Sequence, residues 1–161
     1  MSDILRNSIW ALVFFCGVAH AADAVVSCDD AYRAEVSKPG LLTITGKDGK
    51  SASAKIGHQV DGGSFSPNDT YLVLYGMPMK ANPQSPQTNY LTLYKLDGQR
   101  KAVARQTYGA GILSAEFSED GKFLAVTTRL GVDILNVNKT TFESHDADYT
   151  PEFPLQACGK N

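Results

Sequence analysis

Apolar and polar residues alternate along most of this chain, and a period of two puts successive side chains on opposite faces of a strand. The spacing predicts strands at about Ala31 to Val36, Leu41 to Thr45, Ser53 to Gly57, Gly63 to Ser66, Tyr71 to Tyr75, Tyr90 to Leu96, Ala102 to Tyr108, Ile112 to Ser118, Phe123 to Thr127, Val132 to Val137 and Thr141 to Ser144. The 3.6-residue period of an amphipathic helix is nearly absent. Turn chemistry separates the runs. Asp48-Gly49, Asp97-Gly98 and Asp120-Gly121 suit tight hairpins, and Pro67-Asn68-Asp69 suits a type I turn with Pro at its second position. From Asp146 onward alternation stops, and Pro151 and Pro154 predict an extended strap.

Two stretches repeat each other. Ser64-Phe65-Ser66-Pro67-Asn68-Asp69-Thr70-Tyr71-Leu72-Val73-Leu74 has its counterpart in Glu116-Phe117-Ser118-Glu119-Asp120-Gly121-Lys122-Phe123-Leu124-Ala125-Val126. Each copy closes one apolar run with Phe, turns through polar residues and opens a second run with an aromatic, as a hairpin does. A further alternating run follows each copy, at Tyr90 to Leu96 and at Val132 to Val137. Phe65 lies 52 residues before Phe117, whereas Leu91 lies 41 before Val132, so the first unit carries 11 extra residues, between Gly76 and Asn89. A fainter echo, Leu42 to Gly49, matches Leu91 to Gly98. The chain is therefore expected to hold two to three four-stranded units of about 40 to 50 residues.

The segments Ser64 to Leu72, Glu116 to Val126 and Gly131 to Val137 resemble the blade consensus of WD40 and TolB-type β-propellers, over about Leu41 to Phe142. Neither unit ends in the Trp-Asp pair of that family. The resemblance implies an all-β fold, an incomplete or three-bladed β-propeller-like domain of antiparallel sheets. It says little of function, because propellers host many chemistries.

Residues 1–21 read as a signal peptide: Arg6, an uncharged run from Ile9 to Val18, then Ala19-His20-Ala21 with small residues where a peptidase cuts. The run of about ten residues is too short to span a bilayer, so no stable membrane insertion is expected after cleavage. Residues 22–161 then form one domain. The net charge of −2 includes no long basic or acidic block, which argues against nucleic acid as a partner. Cys28 and Cys158 remain after cleavage, and an even count in an exported chain reads as one disulfide and a periplasmic or secreted location.

The chain shows no Gly-x-Ser-x-Gly elbow, His-Glu-x-x-His pair or Gly-rich phosphate loop, so no catalytic residue, cofactor or metal is expected. Asp146 and Asp148 beside His145 could hold a cation only weakly, since an EF-hand needs more oxygens at fixed offsets. The feature that asks for a function is the insertion Gly76 to Asn89. Pro78, Pro83 and Pro86 stiffen it, and Met77 and Met79 supply adaptable apolar contacts. Met77, Met79, Lys80, Asn82, Gln84, Ser85, Gln87 and, from a neighbouring turn, Arg129 are the expected partner-binding residues. Tyr108 to Gly111 and Thr128 to Leu130 are weaker candidates for the same surface. In design the chain looks like the periplasmic immunity proteins of type VI secretion amidase effectors, which would make its partner a secreted hydrolase. By that analogy, Gln84 or Ser85 would meet the catalytic His of the target. The alternatives are a small-molecule- or glycan-binding or envelope-assembly accessory domain, and pairing with a second copy through unprotected edge strands.

Overall fold

The computed structural model describes residues 24–80, 82–85, 87–97 and 100–158. The expected signal peptide lies outside the described residues, as do Ala81, Pro86 and the Gly98 of the expected Asp97-Gly98 turn. Twelve strands follow in chain order: β1 (Val25–Val26), β2 (Tyr32–Lys38), β3 (Leu41–Gly46), β4 (Ser51–Lys55), β5 (Gly62–Phe65), β6 (Tyr71–Gly76), β7 (Asn89–Lys95), β8 (Lys101–Tyr108), β9 (Ile112–Phe117), β10 (Phe123–Thr128), β11 (Val132–Asn136) and β12 (Thr141–His145). All eleven expected strands are present, and β1 is an addition. They form three four-stranded antiparallel meanders, β1 to β4, β5 to β8 and β9 to β12. The fold is all-β, as the alternation predicted.

The repeat is exact in register. Phe65 pairs with Leu72 as Phe117 pairs with Leu124, and Tyr75 pairs with Leu91 as Thr127 pairs with Val132. It also extends to the first sheet, through a turn the sequence reading did not recognise. Ser27, Ser66 and Ser118 are all buried. Each donates its hydroxyl to the Asx side chain two residues on, at 2.8, 2.9 and 2.7 Å to Asp29, Asn68 and Asp120. The same hydroxyl accepts the backbone N–H of the aromatic that opens the next strand, Tyr32, Tyr71 or Phe123, at 2.9 to 3.0 Å. The residue after each Asx is left-handed: Asp30 at φ 58, Asp69 at φ 53 and Gly121 at φ 68. Asp and Gly tolerate this region better than β-branched residues do.

Alternation along the strands then decides the stacking. The innermost strands lie side by side, β5 between β1 and β9, and the Ser64 hydroxyl donates to the Ala115 carbonyl at 2.9 Å across the second pair. Ala34, Leu42 and Ile44 of the first sheet meet Leu72, Leu74 and Tyr94 of the second. The opposite face of the second sheet, Val73, Leu91 and Leu93, meets Phe117, Leu124, Val126 and Leu135 of the third. The outer face of the first sheet is polar and hydroxyl-rich, with Ser37 bonded to Thr43 and Thr45 to Ser51.

The outer face of the third sheet is apolar, and the expected strap covers it. Tyr149, Phe153 and Leu155 pack on Ala125, Val132 and Ile134, with Phe153 stacked on Phe123 at 5.2 Å. The strap is fixed to the end of β9 by Glu119 N–H to the Pro154 carbonyl and Gln156 N–H to the Phe117 carbonyl. It ends in a disulfide from Cys158 to Cys28, which sits in the first Ser-x-Asx turn, with the Cα atoms 5.0 Å apart.

Candidate functional site

Because every sheet is a meander, its connections fall alternately at two ends. One end, here the turn end, carries the three Ser-x-Asx turns and the disulfide. The other, the loop end, carries the β4–β5 connection (residues 56–61), the β6–β7 insertion (77–88), the β8–β9 turn (109–111) and the β10–β11 turn (129–131).

The insertion leaves the second sheet at Gly76, which passes so close to the Gln59 carbonyl that any side chain there would strike backbone. Its first residues are structural. Gln59 N–H donates to the Met77 carbonyl at 2.8 Å, Met77 N–H donates to the Asp61 carboxylate at 2.9 Å, and Pro78 bridges to His58. Met79 packs half-buried against the core between the first two sheets, so of the two expected methionine anchors only Met77 is presented outward. Lys80, Asn82, Gln84, Ser85 and Gln87 are all exposed. The distal loop hydrogen-bonds to itself, Gln84 N–H to the Asn82 side chain at 3.0 Å and Ser85 N–H to the Asn82 carbonyl at 2.9 Å. These bonds restrict it as the prolines were expected to. The buried Asn89 side chain ends the loop by accepting Ile112 N–H at 2.7 Å, which ties it to β9.

Three of the expected residues come together. Met77, Gln87 and Arg129 line one hollow of about 270 Å³ with Asp61, Ala110 and Leu113. Lys80, Asn82, Gln84 and Ser85 stand outside it, on the loop. Around the hollow, Met77 is 40% exposed and Leu113 58%, and Leu130, the residue after Arg129, is 79% exposed. Arg129 is exposed and has no ion-pair partner among the described residues. Leu113 was not singled out from sequence. Its signal was the adjacent pair Ile112-Leu113, which breaks alternation at the start of β9 and leaves one leucine facing water. At the far side of this end, His145 lies flat on Tyr149 with ring centres 3.8 Å apart, and Asp146 and Asp148 are exposed. Among the described residues no three His, Cys, Asp or Glu side chains are grouped to hold a metal ion, and no helix is long and apolar enough to cross a membrane.

Two polar groups are buried in the grooves between sheets at this end. In the groove between the first and second sheets His58 is 2% exposed. Its Nδ1 lies 2.6 Å from the Gln59 carbonyl, which can only accept, so Nδ1 carries the proton. Burial lowers the His58 pKa and keeps the ring neutral, and Nε2 then accepts from the Thr92 hydroxyl at 3.0 Å. In the groove between the second and third sheets Tyr108 is 8% exposed, and its hydroxyl is buried without a partner among the described residues.

No family model matches the chain, and no curated protein matches it. Among solved structures it is similar to a chain described as the eukaryotic initiation factor, with a TM-score of 0.57 and 17% identity over 78% of this chain and 32% of that one. It is also similar to hydrazine synthase of Kuenenia stuttgartiensis, with a TM-score of 0.57 and 13% identity over 92% of this chain and 41% of that one. At such identities the likeness is one of fold alone, and the chain spans well under half the length of either.

Proposed function

We propose that this chain is an exported protein-binding module, an open three-bladed propeller that presents its loop end to a partner. The observation that carries the reading is the pair Met77 and Leu113, exposed around one hollow beside an Arg129 without an ion partner among the described residues, with the exposed Leu130 following Arg129 in the same turn. Single exposed leucines are ordinary, but an apolar group gathered around a hollow and rimmed by a free guanidinium is the make-up of an interface core. The self-bonded insertion beside it is preordered, which lowers the entropy lost on docking. Meander sheets arranged around adjacent inner strands support the propeller reading. A disulfide between two exposed cysteines supports a periplasmic or secreted location, because cytosolic thiols are kept reduced.

In its sharpest form the module is a periplasmic immunity protein that inhibits a peptidoglycan amidase effector by plugging its active site, with Gln84 and Ser85 at the exposed loop tip. The alternative is a small-molecule or glycan receptor. The hollow between Met77 and Arg129, at about 270 Å³, falls below the roughly 300 to 1,000 Å³ typical of ligand pockets, whereas the apolar hollow beside Val36 and Met79, at about 340 Å³, falls within it and is where that reading would place its ligand.

The test is capture from periplasmic extract on immobilised protein, identification by mass spectrometry, and calorimetric titration of the purified partner. Arg129→Glu combined with Leu130→Asp should weaken that partner at least about tenfold, the loss expected at an interface centre. Unchanged affinity would overturn the loop end as the contact surface.

A further inference from the structure

The two grooves between sheets are equivalent by the repeat, and three of the differences between them set their polar chemistry. The 52-residue offset that superposes Phe65 on Phe117 places Ile56 on Tyr108 and His58 on Ala110. The 41-residue offset of Leu91 to Val132 places Thr92 on Asp133. In the first groove the His58 imidazole accepts from Thr92, and a pocket of about 290 Å³ lies beside the pair. In the second, Ala110 puts a methyl where that ring stands. A pocket of about 270 Å³ lies there, lined by Tyr108, Ala110, Thr128, Asp133, Ser144 and His145 among others.

The chemistry of the wall is changed while the volume is much the same. Thr92 is a hydroxyl that donates, whereas the Asp133 carboxylate can only accept. Asp133 faces the second sheet, on the side of β11 where its next-but-one neighbour Leu135 is buried in the core. Among the described residues no cation pairs with it. It lies beside the Tyr108 hydroxyl without closing a hydrogen bond to it. Burial first, and the Asp133 charge second, push the Tyr108 phenol up, so its oxygen stays protonated and available. A half-buried anion and an orphaned hydroxyl facing a ring-sized space are costly unless something completes them.

We infer that the groove between the second and third sheets is a receptor site for a planar nitrogen cation, an imidazolium or guanidinium group whose N–H donors face Asp133 and Tyr108. The occupant sits where His58 sits in the neighbouring groove, with the proton donor and acceptor roles reversed. On the protein-binding reading, on which only the source of the cation rests, it is an Arg or protonated His side chain of the partner, entering at the same end as the exposed Leu130.

The site can be tested without the partner. Methylguanidinium chloride titrated into the full exported protein should produce saturable NMR shifts in the Tyr108 ring and in the amides of Ala110, Asp133 and Ser144, with sodium chloride at equal strength as control. Asp133→Asn should weaken the probe about tenfold, the worth of one charge-assisted hydrogen bond. Ala110→His, which supplies the group from within, should abolish the localised shifts. Shifts scattered over exposed carboxylates such as Asp146 and Asp148, or an Asp133→Asn protein that binds the probe undiminished, would overturn the site. Probe binding that persists while the Arg129 and Leu130 variant keeps full affinity for a captured partner would leave the site standing and remove the loop end as the partner's contact surface.

Discussion

The two ends of the sheet stack are made from the same twelve strands and are built to opposite rules. At the turn end one solution is used three times: a buried serine, an Asx side chain and a left-handed residue satisfy one another and the next strand's first N–H. The strap and the disulfide are added there, and among the described buried side chains of that end no polar atom is left without a partner. At the loop end no two connections are alike. That end exposes Met77, Leu113 and Leu130, and it buries Tyr108, whose hydroxyl has no partner among the described residues. Repetition marks what holds the fold, and on the function proposed above divergence from the repeat marks where the fold is used. Real proteins break local rules mainly where function requires it.

That contrast predicts which substitutions unfold the protein and which only silence it. The largest effect should come from Phe117→Ala, which empties a fully buried position where the second and third sheets meet, at about 3 to 5 kcal/mol by denaturant titration. Cys158→Ser should follow at about 2 to 4 kcal/mol, since it frees both the strap and a closed loop of 130 residues. Ser118→Ala leaves the Phe123 N–H without its side-chain acceptor and should cost about 1 to 3 kcal/mol. Leu130→Asp, at the loop end, should stay within about 0.5 kcal/mol of the parent. A loss at Leu130 as large as that at Ser118 would erase the division between the ends.

The smallest effect concerns pH. Asp69 is held up at about 6, by burial first and by the neighbouring Asp29 second, so folding favours its protonated form. Its contribution is full below the ordinary carboxylate value of 3.8 and is lost as pH rises through 6. Asp29 is lowered instead, by the Ala31 N–H first and then the Ser27 hydroxyl, and its contribution is lost as pH falls below that ordinary value. Asp69→Asn keeps a side chain that tolerates the left-handed backbone and removes the repulsion. Melting at pH 7 should therefore rise by about 1 to 3 °C, the scale of a solvent-screened charge pair, with little change at pH 4. A fall at pH 7 would mean that the carboxylate is needed in its charged form.

The alternation of apolar residues made eleven of the strands legible, because most bury one face and β4 and β12 keep one face half-buried. β1 escaped because Val25–Val26 is too short to show a period, and its turn escaped because Cys28-Asp29-Asp30 reads as the flank of a disulfide before it reads as a Ser-x-Asx turn. The pattern Ser27-x-Asp29-Asp30-x-Tyr32 is nevertheless the same as Ser66-x-Asn68-Asp69-x-Tyr71, so the third repeat was present in the residues. At the loop end the insertion was visible as excess length, and Met77, Gln87 and Arg129 do meet. The inward packing of Met79 was not visible, since it depends on the pairing of Pro78 with His58 across 20 residues. Nor was the pocket at Asp133, whose polar wall stands out only by comparison with the groove where His58 pairs with Thr92.

The central claim is that stability resides at the turn end and recognition at the loop end, and one variant tests both. Replacing Lys80 to Gln87 by a short Gly-Ser segment keeps the Met77 to Met79 bridge and removes only the exposed part of the insertion. Melting and calorimetric titration of this variant against the partner captured by the parent should show a melting temperature within about 2 °C and an affinity lowered more than about a hundredfold, as removal of a preordered anchor produces. Full affinity, or loss of the fold along with the loop, would contradict the account.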